Sequence, residues 1–310
     1  MAGQANLFSS RAPSTRRLYA SDWKLFDRWC ASMQLPALPA TLSTVAMFLA
    51  AQAQDGFAPA TLDRRLAAIR LMHLEAKVPS PHDAIEVAEV MRGIRGRWKR
   101  PPARKAAAVD NDVRRLCDAV EPQTLRGLRD RALVLLGFAG AFRRSELVAL
   151  DVDHVHERKE GLSVQIAGSK TCQDEYQVIA ILRVPDSPYC PVQALTDWRV
   201  AARIEGGPIF RRIRRWDTLC EARLTDQSVA LVIKALALQA GLDPAVYAGH
   251  SLRRGFLTSA ARRRASIFKM ADQSRHRSLD VLREYVLDAE RFKGHAGTGL
   301  LQADTTQRRR

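Results

Sequence analysis

Four short stretches in the second half of the chain hold residue types that could handle an anion. Gly140-Ala141-Phe142-Arg143-Arg144-Ser145-Glu146-Leu147 closes one apolar helix and opens another. Two arginines beside a buried helix are costly to desolvate unless an anion pairs them. Glu146 follows Arg143 by three residues, within reach on a helix; an ordinary surface ion pair accounts for the same spacing. Lys170 sits at the tip of a predicted hairpin, where it is either solvated or able to reach a ligand across the sheet edge. His250-Ser251-Leu252-Arg253 places an imidazole and a guanidinium at i and i+3, on one helix face, where both could bind one phosphate. His276 precedes Tyr285 by nine residues, and Tyr285 follows Leu282 by three and Val281 by four, the spacing of an aromatic on an amphipathic helix.

These groups need a scaffold, and the composition supports one. The chain has 310 residues, 46% of them apolar and 26% charged, which reads as globular. Lysine and arginine total 49 against 33 aspartates and glutamates, a net charge of +16. With a pI near 10.3, that excess points to a polyanionic partner, nucleic acid before a membrane surface. The longest uncharged apolar run, Ala132 to Phe142, has eleven residues, against about 18 for a membrane span. The first residues lack the apolar core of a signal peptide, although they are basic and free of acid, as a mitochondrial presequence is. Cys30, Cys117, Cys172, Cys190 and Cys220 are scattered and odd in number, which argues against a disulfide framework or a cysteine zinc site and for a reducing compartment.

Periodicity divides the chain in two. Residues 1–12 read as a loose leader, and residues 13–98 as a small helical domain. Its first helix, capped by Ser14 or Thr15, turns Tyr19, Trp23, Phe26 and Trp29 to one face. Thr41 to Gln54 reads as a second helix with Val45, Phe48 and Leu49 inward. A third begins at Pro59 and aligns Leu62, Leu66, Ile69 and His73, with Arg64, Arg65 and Arg70 pointing elsewhere; a fourth passes through Ile85, Val87 and Val90. Met91 to Lys105 holds seven basic residues and no acidic one, and its glycines and prolines make the latter part a poor helix. Within it, residues 99–108 are read as a linker able to lie against phosphates. The second domain, 109–310, is read as a capped helix at Asp110-Asn111-Asp112, an apolar helix over Arg126 to Phe142, a hairpin of Leu162–Ile166 and Tyr176–Leu182, and helices onward to about Phe292.

Taken in order, the four stretches resemble the tyrosine recombinase (phage integrase) family. Its pattern is an arginine in a G-L-R-x-S-E-L context, a hairpin lysine, H-x-L-R, a histidine or tryptophan, and a tyrosine nine residues on. This chain supplies Arg143 in GAFRRSEL, Lys170 in GSKT, His250 and Arg253 in HSLR, His276 in SRHRSLD and Tyr285 in LREYV. It departs at Ala141, where the family has glycine, and at Ser274-Arg275, where the family has L-G. Spacing to Ser145-Glu146-Leu147 selects Arg143 over Arg144, and the HxxR spacing selects Arg253 over Arg254.

The resemblance implies a mainly α fold: a helical, SAM-like core-binding domain and a mostly α catalytic domain with a small antiparallel sheet, together a C-shaped clamp on DNA. It also implies chemistry. A free phenol is only about a thousandth ionised at neutral pH, so Tyr285 as nucleophile needs a base and a stabilised transition state. Arg143 and Arg253 would clamp the non-bridging oxygens, Lys170 would protonate the departing 5′ oxygen, His250 would act as acid/base near Tyr285, and His276 would bond the scissile phosphate. Glu146 would hold its neighbours in place. The product would be a 3′-phosphotyrosyl link, and neither metal nor other cofactor enters.

Implied partners are double-stranded DNA, three further copies of the chain in a homotetramer on two DNA sites, and a second recombinase or accessory protein; no membrane is involved. Arg64, Arg65, Arg97, Lys99, Arg100 and Arg212 are the candidate DNA contacts, with the Pro59–Lys77 helix in the major groove. The space before Ser14 excludes an arm-binding domain, which favours a simple Xer-like or Cre-like enzyme or a small mobile-element integrase, located in the bacterial cytoplasm at the nucleoid. Three other readings compete. The Asp151-Val152-Asp153-His154-Val155-His156-Glu157 cluster would suit a metal-dependent nuclease. A type IB topoisomerase would use the same residue types. A structural DNA-binding protein would need none of them.

Overall fold

The computed structural model describes residues 13–98, 105–166, 177–276, 278–293, 295–298 and 300–301. The chain separates into two compact units, the division falling between Arg104 and Lys105. The leader, Lys99, Arg100, Lys170, Cys172 and the tail from 302 onward lie outside the described residues.

The first unit is four helices: α1 Pro13–Ser32, α2 Leu42–Gln54, α3 Pro59–Glu75 and α4 Ile85–Arg97. Pro13 opens α1, so Ser14 and Thr15 fall in its first turn and are not its cap. Thr41 caps α2, its Oγ1 accepting the Thr44 N–H at 3.1 Å. Phe26, Val45, Phe48, Leu49, Leu62, Ile69 and Val87 form the core, with the Phe26 and Phe48 rings edge to face at 5.0 Å. His73 is fully buried. Its Nε2 accepts the Ala40 N–H at 2.9 Å, and its Nδ1–H donates to the Ile69 carbonyl at 2.8 Å. That pair of partners fixes one neutral tautomer. His73→Leu strands the Ala40 amide, and urea unfolding is expected to show a loss of about 1–3 kcal/mol.

Three expectations are corrected here. Arg65 does not point away from the stripe: at about 100° per residue it lies roughly 40° from Ile69, and it is buried. Its guanidinium sits 4.0 Å from the Phe57 ring centre and donates to Gln52 Oε1, with Asp22 at 3.8 Å. Ile85 is exposed, and Val87 and Met91 carry that helix's contact with the core. Gly93 and Gly96 do not end the helix either. Both lie within α4, and α4 leads the basic run as far as Arg97.

In the second unit α5 Asp110–Asp118, α6 Leu125–Ala139 and α7 Arg144–Ala149 are followed by a three-stranded antiparallel sheet, β1 Val155–Arg158, β2 Gly161–Ile166 and β3 Gln177–Leu182, in the order β1-β2-β3. Then come α8 Pro191–Ala201, a two-stranded hairpin of β4 Arg211–Ile213 and β5 Leu219–Arg223, and helices α9 Asp226–Gln239, α10 Ser251–Arg262, α11 Ile267–Ser274 and α12 Asp280–Glu290. In α6 Ala132, Leu133, Val134 and Leu136 are all fully buried, as expected of a helix enclosed on every side. Leu162 faces Ile181 and Val164 faces Ile179 across the sheet, and all four are buried on the core side.

The structure corrects the sequence reading at several of these elements. Val109, not Asp110, stands at the α5 N-cap, its N–H donating to Asp112 Oδ2 at 3.2 Å; the two aspartates sit in the first turn, where they suit the helix dipole. α6 stops at Ala139, three residues early, because the chain turns through Gly140 and a left-handed Ala141. The Asp151–Glu157 cluster divides between a 3-10 turn at Val152–His154 and the start of β1 at Val155. The β4–β5 hairpin replaces part of an expected all-helical region. Lys105–Ala108, expected as linker, packs into the second unit: Ala106 donates to the Val246 carbonyl at 2.7 Å and Ala108 to the Ser251 carbonyl at 3.0 Å, and Ala108 is fully buried. Among the described residues Cys30, Cys117 and Cys190 are buried free thiols, and burial pushes Cys30 up to about 11 and Cys117 to about 12. No described helix is long and apolar enough to cross a membrane.

Candidate active site

The site is assembled where α6 ends, α7 and α10 begin, and α11 turns into α12. After the Gly140-Ala141 turn, Phe142 is buried and Arg143 stands at the N-cap of α7. Glu146, at the third position of α7, reaches back to accept the Arg143 N–H at 2.8 Å, as the acidic half of a capping box does. Its other oxygen pairs with the Arg143 guanidinium. Burial works against its charge. The Arg275 guanidinium beside it, with the bonds from Arg143, outweighs that and holds Glu146 below the usual carboxylate range.

His250 occupies the N-cap position of α10, and Arg253 lies in that helix's first turn. The two therefore meet across a helix start rather than along one face. Arg253 is 5% exposed. Its Nη1 donates to the Ala141 carbonyl at 2.7 Å, and its Nη2 lies 3.3 Å from the His276 ring. Burial, then Arg143 and Arg275 nearby, pulls Arg253 down to about 9. A buried guanidinium so placed suits an anionic partner.

His276 follows α11. Ser274 Oγ donates to the Met270 carbonyl at 2.5 Å and so is left to accept from His276 Nδ1 at 2.7 Å. That assigns the remaining lone pair to Nε2, which lies 3.4 Å from Arg253 Nη2. Partial burial, then Arg253, Arg143 and Arg275, pushes His276 down to about 4. His250 is exposed at its edge, and desolvation with Arg144, Arg253 and Arg143 lowers it too. The sign of the effect on folding follows. Between about pH 6.5 and 4 the unfolded chain binds more protons at these imidazoles than the folded one. Stability is therefore complete above the upper limit and falls as pH drops through the window. Melting temperatures of wild type and His276→Gln measured from pH 7 to 4 check this; the variant's should fall less.

Tyr285 is half buried on α12 and packs against the cluster of Leu257, Ala261, Met270 and Leu282. Its phenol is within electrostatic reach of Arg253. The structure thus brings Arg143, Glu146, His250, Arg253, His276 and Tyr285 to one place. The sequence reading missed Arg275, which is 9% exposed and in the left-handed conformation at φ 58°, a state that costs a non-glycine residue about 1–3 kcal/mol. The available signal was an arginine where the family has glycine.

The candidate DNA contacts scatter. Arg64 is held in a two-bond pair with Asp22, at 2.7 and 3.0 Å, and Arg65 is a core residue. Arg97 and Arg212 are exposed, on α4 and β4. The β4–β5 hairpin tip is tied to the start of α6, where Asp217 accepts the Leu125 and Arg126 N–H groups at 2.5 and 2.9 Å. That is the end of α6 opposite Arg143. The acidic cluster is also spoken for: Asp151 pairs with Arg223 at 2.6 Å, and His154 Nδ1 accepts the Asp151 N–H. Among the described residues no three His, Cys, Asp or Glu side chains converge as metal ligands would.

Comparison with known proteins places this chain among the tyrosine recombinases, enzymes of site-specific DNA recombination. Residues 109–291 match the phage integrase family, and the chain belongs to that family. It is 37% identical over 294 residues to an integrase/recombinase XerD homolog of Selenomonas ruminantium, covering 94% of this chain and 86% of the relative. It is 26% identical over 310 residues to a tyrosine recombinase of Synechococcus elongatus, covering 94% and 90%. In fold it is similar to a lambda integrase dimer bound to a COC′ core site, with TM-score 0.59 and 18% identity over 89% of this chain and 72% of that one. It is also similar to XerH bound to its difH substrate before cleavage, with TM-score 0.56 and 15% identity over 78% and 66%.

Proposed function

We propose that this recombinase cuts and rejoins duplex DNA through a phosphotyrosyl ester on Tyr285. The phenol oxygen attacks the scissile phosphorus, the 5′ oxygen leaves, and the phosphate is carried on the protein until a second 5′ hydroxyl reverses the step. The phosphodiester's energy is kept in that ester, so no nucleotide is consumed. The observation that carries the reading is the Arg143–Glu146–Arg253–His276 cluster with the buried Arg253 guanidinium at its centre. Arg143 and Arg253 hold the non-bridging oxygens, where one such charged donor is typically worth about 3–4 kcal/mol of barrier. His276 bonds the same phosphate, and His250 moves the proton at Tyr285. Lys170 protonates the leaving oxygen. Glu146 holds the arginines.

In the same reading, four copies assemble on two DNA sites in the bacterial cytoplasm at the nucleoid, and the outcome is integration, excision or resolution of a DNA element. The first unit sets α3 against the major groove, and Arg97, Lys99, Arg100 and Arg212 contact phosphate. The test is covalent trapping in EDTA with nicked duplexes tiled across DNA flanking the gene. SDS quenching should retain a DNA–protein adduct whose tryptic peptide carries the nucleotide on Tyr285. An adduct on another residue, or cleavage only with added magnesium, overturns the reading.

A further inference from the structure

We infer that Arg275 is a positioning residue for the reaction, a buried guanidinium that fixes the turn carrying Arg143 and the carbonyl that orients Arg253. This rests on the reading of those two arginines as the phosphate clamp. The bonds of Arg275 carry the argument. Its Nη1 donates to the carbonyls of Gly140 at 3.0 Å and Gln273 at 2.6 Å; its Nη2 donates to the Ala141 carbonyl at 3.1 Å and to Glu146 Oε2 at 2.7 Å. The guanidinium carbon stands 5.3 Å from the Phe142 ring centre. Arg275 therefore touches Gly140, Ala141, Phe142 and Glu146, most of the turn that delivers Arg143.

A guanidinium has five N–H donors. Four are engaged, and the fifth, on Nε, is buried without a partner. None is left for a substrate, so Arg275 acts through its neighbours. Those neighbours include both clamp residues. Arg253 donates to the same Ala141 carbonyl at 2.7 Å, and Arg143 Nη2 approaches the Arg275 carbonyl at 3.4 Å. The backbone agrees. Ala141 at φ 45° and Arg275 at φ 58° are both left-handed without being glycine, and the two are joined by the Arg275–Ala141 bond. Each occupies a position where a glycine would be unstrained. In this chain the left-handed turn at Arg275 aims a long side chain back into the α6–α7 turn.

The test compares wild type, Arg275→Gly and Arg275→Lys on a nicked duplex at saturating DNA. Glycine relieves the backbone and removes the guanidinium; lysine keeps a charge without the fork. Single-turnover formation of the Tyr285 adduct is expected to fall about 100-fold in the glycine variant, the size of effect produced by an ångström of misplacement. DNA affinity should change by less than about threefold, since the clamp arginines remain. The lysine variant should recover part of the rate. The second readout is the His276 ring titration followed by NMR in the DNA-free protein. Removing a nearby cation should move it upward in the glycine variant and less in the lysine variant, and a rate loss in variants whose melting temperatures match wild type separates positioning from a role confined to folding. Wild-type cleavage in the glycine variant, or a rate loss matched by lost affinity, overturns the inference. Should that variant not fold, the lysine variant decides: a wild-type rate and an unmoved His276 sink the idea. Failure of the underlying reading is seen separately, as no Tyr285 adduct in wild type.

Discussion

Replacing Tyr285 with phenylalanine is expected to abolish the covalent adduct and lower strand exchange by at least about 10⁴-fold, with DNA affinity and melting temperature close to wild type. The change deletes one oxygen. The ring keeps its packing against the cluster of Leu257, Ala261, Met270 and Leu282, so no cavity opens, and the clamp arginines keep their bonds to Glu146 and Ala141. The nearest alternative phenol in sequence is ill suited. Tyr247 is buried, and burial together with Asp112, to which its hydroxyl is bonded, raises it above the ordinary phenol value. Adduct yield and equilibrium binding, measured side by side on one nicked duplex, separate the chemical step from recognition. A variant that still forms an adduct would remove Tyr285 from the mechanism.

Gly255→Ala is the second large effect, and it acts on the scaffold. A Cβ at position 255 would lie 1.6 Å from the Ala108 carbonyl oxygen and 2.3 Å from its carbon. Both are backbone atoms, so either α10 shifts or residues 105–108 leave their seat. The expected loss of stability is about 3 kcal/mol, seen as a lower urea midpoint. Cleavage should slow as well, because Arg253 rides on the same helix two residues earlier. Gly96→Ala is the control. Nothing lies within 4 Å of a Cβ there, and an alanine inside α4 should stabilise by about 0.5–1 kcal/mol. Equal responses at the two positions would contradict the packing described.

How much of this was legible beforehand depended on what each residue's type reveals. Arg143, Glu146, His250, Arg253, His276 and Tyr285 stood out only as an ordered set that resembles the tyrosine recombinase pattern; taken singly, each read equally well as a surface ion pair or an aromatic on an amphipathic helix. Leu162, Val164 and Ile166 announced β2 by strict alternation. Arg65 misled because charge was taken for exposure, when a cation among Gln52, Asp22 and Phe57 can be kept inside. The β4–β5 hairpin has a three-residue strand and an irregular register between Arg211 and Ile213, too short for any periodicity. Arg275 was hidden for another reason. Its role comes from contacts over 129 to 135 residues of separation, which no local pattern encodes.

The seat of Ala106 and Ala108 has a mechanical consequence. Among the described residues, the segment that opens the second unit makes its first backbone bonds with Val246 and with Ser251, the latter two residues before Arg253. A load carried along residues 106–108 is thus delivered to Val246, in the loop before α10, and to Ser251, the first residue of that helix. The segment that opens the second unit and the helix that carries Arg253 are therefore one mechanical piece.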